Sequence, residues 1–215
     1  MAEKAILYGF KLSSCSWRVR ACLVLKKIPF EERSVDIMRE RAQLSDQYRA
    51  INPAQKVPTL VIDGETFVES MAIIQYLEDT RPSPALTPST PVQKARMREI
   101  CETIVSGIQP LQNVGLKPHF DTEEQYNRFS KYWCDRGLQT LEEHLKKTSG
   151  QYCMGDKITI ADLCLVPQLF NLTHNAVTRH SKHPTVTPTV SKLYESLLFQ
   201  RVFKETLKKS VKAQT

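Results

Sequence analysis

The sequence predicts two domains, a small mixed α/β unit followed by an all-helical one. Three observations predict this. The first ~80 residues alternate short β-branched runs with apolar-periodic stretches. Residues 81–91 then carry Pro82, Pro84, Pro88 and Pro91 and almost nothing apolar, which reads as a linker. Everything beyond has a helical period. The expected boundaries are 1–82 for the first domain, 83–91 for the linker and 92–215 for the helical domain.

In the first domain, residues 5–8 read as a strand, 17–27 as an amphipathic helix and 30–35 as a second strand, with Pro29 at the join. Residues 44–51 read as a short helix stopped by Asn52-Pro53, since a residue before proline is pushed out of helical geometry. Runs 59–62 and 66–68 flank Asp63-Gly64, the pairing that a two-residue hairpin turn with two positive φ angles favours. Ser70 then caps a helix marked by Met71, Ile73, Ile74 and Leu77 and reaching about Thr80. The order β-α-β, loose helix, β-β-α predicts a thioredoxin-like unit with a mixed four-stranded sheet and an antiparallel edge hairpin.

In the second domain, Thr90-Pro91 matches an N-cap followed by proline at the first helical position. Helices are expected over 92–108, disturbed near Gly107 and Pro110, over 123–147, and over 159–172. In the last of these Asp162 reaches back to the first turn as an acidic capping box. Thr187-Pro188 repeats the cap-plus-proline start before a final helical pair.

Composition narrows the function. Of 215 residues, 41% are hydrophobic and 25% charged, as in an ordinary water-soluble chain. No run approaches the ~18 apolar residues of a membrane span. Lys4 and Lys11 bracket too short an uncharged stretch for an export signal, so the expected location is the cytoplasm. The net charge of +7 is spread along the chain without a basic stripe interleaved with aromatics, which argues against a nucleic-acid partner. It suits small polyanionic substrates. The six cysteines form no C-x-x-C pair, and the histidines have no cysteine at ligand spacing, so neither a disulfide framework nor a metal is expected.

Three segments carry the chemistry. Ser13-Ser14-Cys15-Ser16 stands at a strand-to-helix junction, where hydroxyls and backbone N–H groups converge on an anion; a plain N-cap cluster is the bland alternative. Val57-Pro58 precedes a strand, where a thioredoxin-like fold typically has a cis proline that turns the backbone of Val57 outward for a peptide-like ligand; an ordinary trans turn proline is the alternative. At Glu69-Ser70, a helix start offers hydroxyl and N–H groups to a carboxylate and Glu69 a counter-charge to an ammonium; a plain helix cap is the alternative. A ligand with an amino-acid head, a peptide middle and a thiol aimed at residues 13–15 is glutathione.

The runs Ser13-Ser14-Cys15-Ser16-Trp17-Arg18-Val19-Arg20, Val57-Pro58-Thr59-Leu60, Glu69-Ser70, Gly107-Ile108-Gln109-Pro110-Leu111-Gln112-Asn113 and Ala161-Asp162-Leu163-Cys164-Leu165-Val166-Pro167-Gln168 resemble those of zeta-class glutathione transferases. The resemblance spans nearly the whole chain. It implies that Ser13, Ser14 and Cys15 are catalytic, Ser13 donating to the glutathione sulfur, with Ser16, Trp17 and Arg18 in the same wall. Gln43 and Val57 would hold the peptide portion and Glu69 and Ser70 the γ-glutamyl head. Gln109, Asn113, Val114 and Gly115 would face the site from the helical domain.

The class includes maleylacetoacetate isomerases, so the resemblance implies a homodimer that uses glutathione to isomerise maleylacetoacetate to fumarylacetoacetate. A detoxifying transferase or dehalogenase acting on α-haloacids is the alternative, and a non-catalytic association module a third reading. Two departures bear on the choice. His174 stands where the class carries an arginine for a substrate carboxylate, with Arg179 as a substitute, and Gly115 replaces a serine. Arg18, one turn beyond Ser14, is the remaining candidate for the substrate carboxylate.

Overall fold

The computed structural model describes residues 4–174 and 185–212. The chain divides into two compact units, Met1–Ala85 with Arg201–Thr215, and Leu86–Gln200.

The first unit is built on β1 (Ala5–Gly9), α1 (Ser14–Leu25), β2 (Phe30–Ser34), α2 (Asp46–Ile51), β3 (Thr59–Ile62), β4 (Glu65–Val68) and α3 (Ser70–Thr80). The sheet order is β2-β1-β3-β4, with β1 parallel to β2 and the other pairs antiparallel. This is the expected mixed sheet, and Asp63 (φ 56°) and Gly64 (φ 79°) both take the left-handed turn conformation expected between β3 and β4. Leu7, Val19, Leu23, Leu60, Ile73, Ile74 and Leu77 form its fully buried core.

The first helix starts three residues earlier than the apolar pattern predicts. The Ser13 hydroxyl oxygen accepts from Ser16 N at 3.2 Å, and this cap draws Ser14, Cys15 and Ser16 into the helix. The segment before α2 is also different: a 3-10 turn over Ala42–Leu44 precedes a helix capped by Ser45. In α3, Ser70 is the first helical residue and not the cap. Glu69 holds that position at φ 65°, without a side-chain capping bond.

Arg20, fully buried, donates through Nε to both Glu32 carboxylate oxygens at 3.1 and 2.9 Å, binding α1 to β2. Lys26 pairs with Glu78 at 2.7 Å and donates to the Pro84 carbonyl at 3.1 Å, anchoring the end of α1 to the chain beyond α3. The last described helix, α8 (Arg201–Lys212), returns to this unit and packs on α1, whereas its position in the sequence suggests the helical domain. Trp17 ties the return together: its indole N–H, buried in α1, donates to Thr206 Oγ1.

The second unit comprises α4 (Pro91–Val105), α5 (Glu123–Thr148), α6 (Ile160–His174) and α7 (Pro188–Leu198), with 3-10 turns at Pro110–Gln112 and Val114–His119. Thr90 accepts from Gln93 N at 3.2 Å and Pro91 opens α4, as expected. Asp162 accepts from Thr159 N at 2.7 Å and Cys153 N at 2.8 Å, so the capping box also pins the preceding loop. At Thr187-Pro188 the expected hydroxyl cap is missing. The Glu142 carboxylate of α5 takes its place, accepting from Thr189 N at 2.9 Å and Val190 N at 3.2 Å. Gly137 is required by close approach: a Cβ there would lie 2.3 Å from Ile108 Cγ1.

Candidate glutathione site

The first unit brings two helix starts together. At the N-terminus of α1, Ser13 is half-buried and its oxygen already accepts from Ser16 N, which leaves its hydroxyl hydrogen to donate elsewhere. Cys15 is half-buried and free, while Ser14 is buried. At the N-terminus of α3 stands Ser70, 5% exposed, preceded by the exposed Glu69.

Arg18 connects these two ends. Its Nη1 donates to Ser70 Oγ at 3.3 Å and to Cys15 Sγ at 3.6 Å. The residue is 0% exposed, and Nε and Nη2 have no hydrogen-bond partner. Among the described residues no carboxylate forms an ion pair with it. The expectation that Arg18 faces an open cleft is therefore corrected. It lies beneath the site, because the turn that starts at Ser13 rotates position 18 inward toward α3.

Two further expected site residues are structural. Ser16 is buried and accepts from Phe10 N at 3.2 Å, and Trp17 is 2% exposed and donates to Thr206 Oγ1 at 2.6 Å. Both point into the core. No side chain in that pair is available to a ligand.

The segment between α2 and β3 carries the residues expected to meet the peptide portion. The Val57–Pro58 bond is cis, and Val57 is half-buried and lies outside the β3 ladder, whose pairing begins at Thr59. Three side chains hold the approach to it. Tyr48 and Asn52 both donate to the Lys56 carbonyl at 2.8 Å, and Asn52 Nδ2 also donates to Thr59 Oγ1 at 3.0 Å. Sequence reasoning missed Tyr48. A tyrosine in a short helix carries no signal until its hydroxyl is seen to reach a carbonyl eight residues on. Gln43 is held by its backbone, whose carbonyl accepts from Gln55 Nε2 at 3.3 Å, while its own Oε1 is buried and unpartnered.

In the second unit, Gln112 is core: its carbonyl accepts from Tyr126 OH at 2.6 Å and its Oε1 from Cys134 Sγ at 3.7 Å. Gln109 and Val114 are half-buried, and Asn113 and Gly115 are exposed. Asn113 uses Oδ1 to accept from Gly115 N at 2.9 Å, so that oxygen caps the following turn. A Cβ at Gly115 would lie 3.2 Å from the same oxygen. The His174 side chain and the whole of Arg179 lie outside the described residues.

Buried thiols are far from reactive. Burial pushes the Cys22 thiol up to about 12 and the Cys134 thiol up to about 11. Among the described residues no three metal-ligating side chains cluster, and no helix is long and apolar enough to cross a membrane.

Residues 7–85 match the family model for the glutathione S-transferase N-terminal domain, and residues 114–209 the model for the C-terminal domain. A probable maleylacetoacetate isomerase 1 of Drosophila melanogaster is 45% identical over 96% of this chain and 82% of its own. The maleylacetoacetate isomerase of Mus musculus is 41% identical over 94% of this chain and 91% of its own. Among solved structures, a maleyl pyruvate isomerase described as a bacterial zeta-class glutathione S-transferase superposes with a TM-score of 0.83. It is 30% identical, with 94% of this chain and 95% of that one covered. The maleylacetoacetate isomerase of Anaeromyxobacter dehalogenans, solved with glutathione in its active site, gives a TM-score of 0.79 at 33% identity, covering 96% of both chains.

Proposed function

Because the chain belongs to the glutathione S-transferase family, in its zeta-class branch of maleylacetoacetate isomerases, we propose that it is a glutathione-dependent cis–trans isomerase converting maleylacetoacetate to fumarylacetoacetate. The observation that carries the reading is the pairing of Ser13, with a hydroxyl hydrogen still to give, and Ser70 at a second helix start. One end suits a thiolate and the other a carboxylate.

The residues present fit glutathione. Ser70 and the first N–H groups of α3 would hold the γ-glutamyl carboxylate, with Glu69 beside the ammonium. The Val57 backbone would pair with the peptide portion, and the orphaned Gln43 Oε1 is an acceptor for an N–H there. Ser13 would donate its hydroxyl hydrogen to the sulfur.

When bound, glutathione would supply the nucleophilic thiol group whose reversible addition to the activated double bond permits cis–trans rotation. The chain's task is to keep that thiol ionised at neutral pH. Lowering a thiol by two pKa units from ~8.5 takes about 2.7 kcal/mol. One hydrogen bond to a charged acceptor contributes about 1.5–3 kcal/mol, and a helix N-terminus about 0.3–1 kcal/mol more. Ser13 and the start of α1 are therefore sufficient without a general base.

The proposal includes a homodimer and a cytoplasmic location; six free cysteines suit a reducing compartment. The test supplies purified protein with maleylacetoacetate or an α-chloroacid in the presence of glutathione. Fumarylacetoacetate formation with glutathione recovered unchanged supports the reading. Halide release with glutathione consumed, and no isomer formed, would replace it with the dehalogenase.

A further inference from the structure

We infer that Arg18 is a positioning residue whose buried charge selects a carboxylate at Ser70, and that this charge stays unneutralised until the ligand arrives. The inference rests on the glutathione reading and deepens it.

A guanidinium has five N–H donors and remains charged in proteins. Arg18 is completely buried, yet only Nη1 finds partners, the neutral oxygen of Ser70 and the neutral sulfur of Cys15. Nε and Nη2 have none. The neighbouring arginine makes the contrast: Arg20 is equally buried and is met by the Glu32 carboxylate. One helix turn thus holds a compensated and an uncompensated cation.

A buried cation without a counter-charge weakens the free protein unless an anion completes it. The start of α3 is where an anion is already favoured by the aligned N–H groups. Arg18 adds a full charge behind Ser70, so it discriminates the γ-glutamyl carboxylate from an uncharged group of the same shape. By holding Ser70 and Cys15 together, it also fixes the spacing between the head-group end and the sulfur end.

The experiment compares glutathione with 4-aminobutanoyl-cysteinylglycine, which keeps the ammonium and the thiol and lacks the α-carboxylate. Calorimetry would measure both ligands on the unmodified protein, on Arg18→Met and on Arg18→Lys, with thermal melts of each free protein. The unmodified protein should prefer glutathione by about a hundredfold. Arg18→Met should cut that preference at least tenfold, change affinity for the analogue less than about threefold, and melt no lower than the unmodified protein when free. Arg18→Lys, which keeps the charge and is the better folder should methionine fail, should keep a preference of tenfold or more.

Variants that lose both ligands by the same factor would show a purely structural arginine and overturn the inference. So would a methionine variant with undiminished preference. Failure of the unmodified protein to bind glutathione would overturn the underlying reading as well. None of these readouts depends on turnover.

Discussion

The indole Nε1 of Trp17 donates to Thr206 Oγ1 at 2.6 Å, a bond between residues 189 positions apart that is buried at both ends. It places the helix that bears the candidate site under direct control of the C-terminal helix. Thr206→Val keeps the shape and removes this buried hydrogen bond, which costs about 1–3 kcal/mol. Urea denaturation should show that loss. A change within about 0.3 kcal/mol would mean that the indole finds another partner.

Glu142 links stability to acid. Burial opposes its ionisation, but hydrogen bonds from Thr189 and Val190 prevail and hold its carboxyl below the usual range. A carboxyl depressed in the folded state contributes stability that is present above its unfolded pKa and disappears as pH falls through the folded value. Glu142→Gln should therefore cost about 1 kcal/mol at neutral pH, the worth of a helix cap, and should flatten the acid limb of a melting-temperature profile. Parallel profiles for the two proteins would contradict this.

Asn52 is 2% exposed and commits both ends of its amide: Nδ2 to Lys56 O and Thr59 Oγ1, Oδ1 to Ala54 N at 2.9 Å. Asn52→Ala should destabilise the protein by about 1–3 kcal/mol through the three amide hydrogen bonds it removes, although Tyr48 still donates to the Lys56 carbonyl. It should also raise the KM for glutathione several-fold, since Val57 is positioned by that segment. Lost stability with an unchanged KM would remove Val57 from the ligand wall.

Much of this was legible in the sequence wherever the signal is local. Thr90-Pro91, Asp63-Gly64 and the Thr159–Asp162 box each specify a turn or cap within a few residues, and each is found in place. The start of α1 was misjudged because serine and cysteine leave no apolar trace, although the Ser13 cap is what begins the helix. The roles of Trp17, Glu142 and Tyr48 depend on partners brought close only by folding. Arg18 was expected to face the cleft and is instead fully buried, because an arginine is ordinarily assumed to face water.

The most direct test of the central claim is an ultraviolet titration of the thiol of bound glutathione against pH, on the unmodified protein and on Ser13→Ala and Cys15→Ala. With Ser13 donating to the sulfur, the bound thiol should ionise about two units below its free value of ~8.5. Ser13→Ala should return most of that shift and cut turnover ten- to a hundredfold, about 1.4 kcal/mol per factor of ten. Cys15→Ala should keep the shift and substantial activity. The reverse pattern, with the shift intact in Ser13→Ala and abolished in Cys15→Ala, would contradict the account and make Cys15 the group on which the chemistry depends.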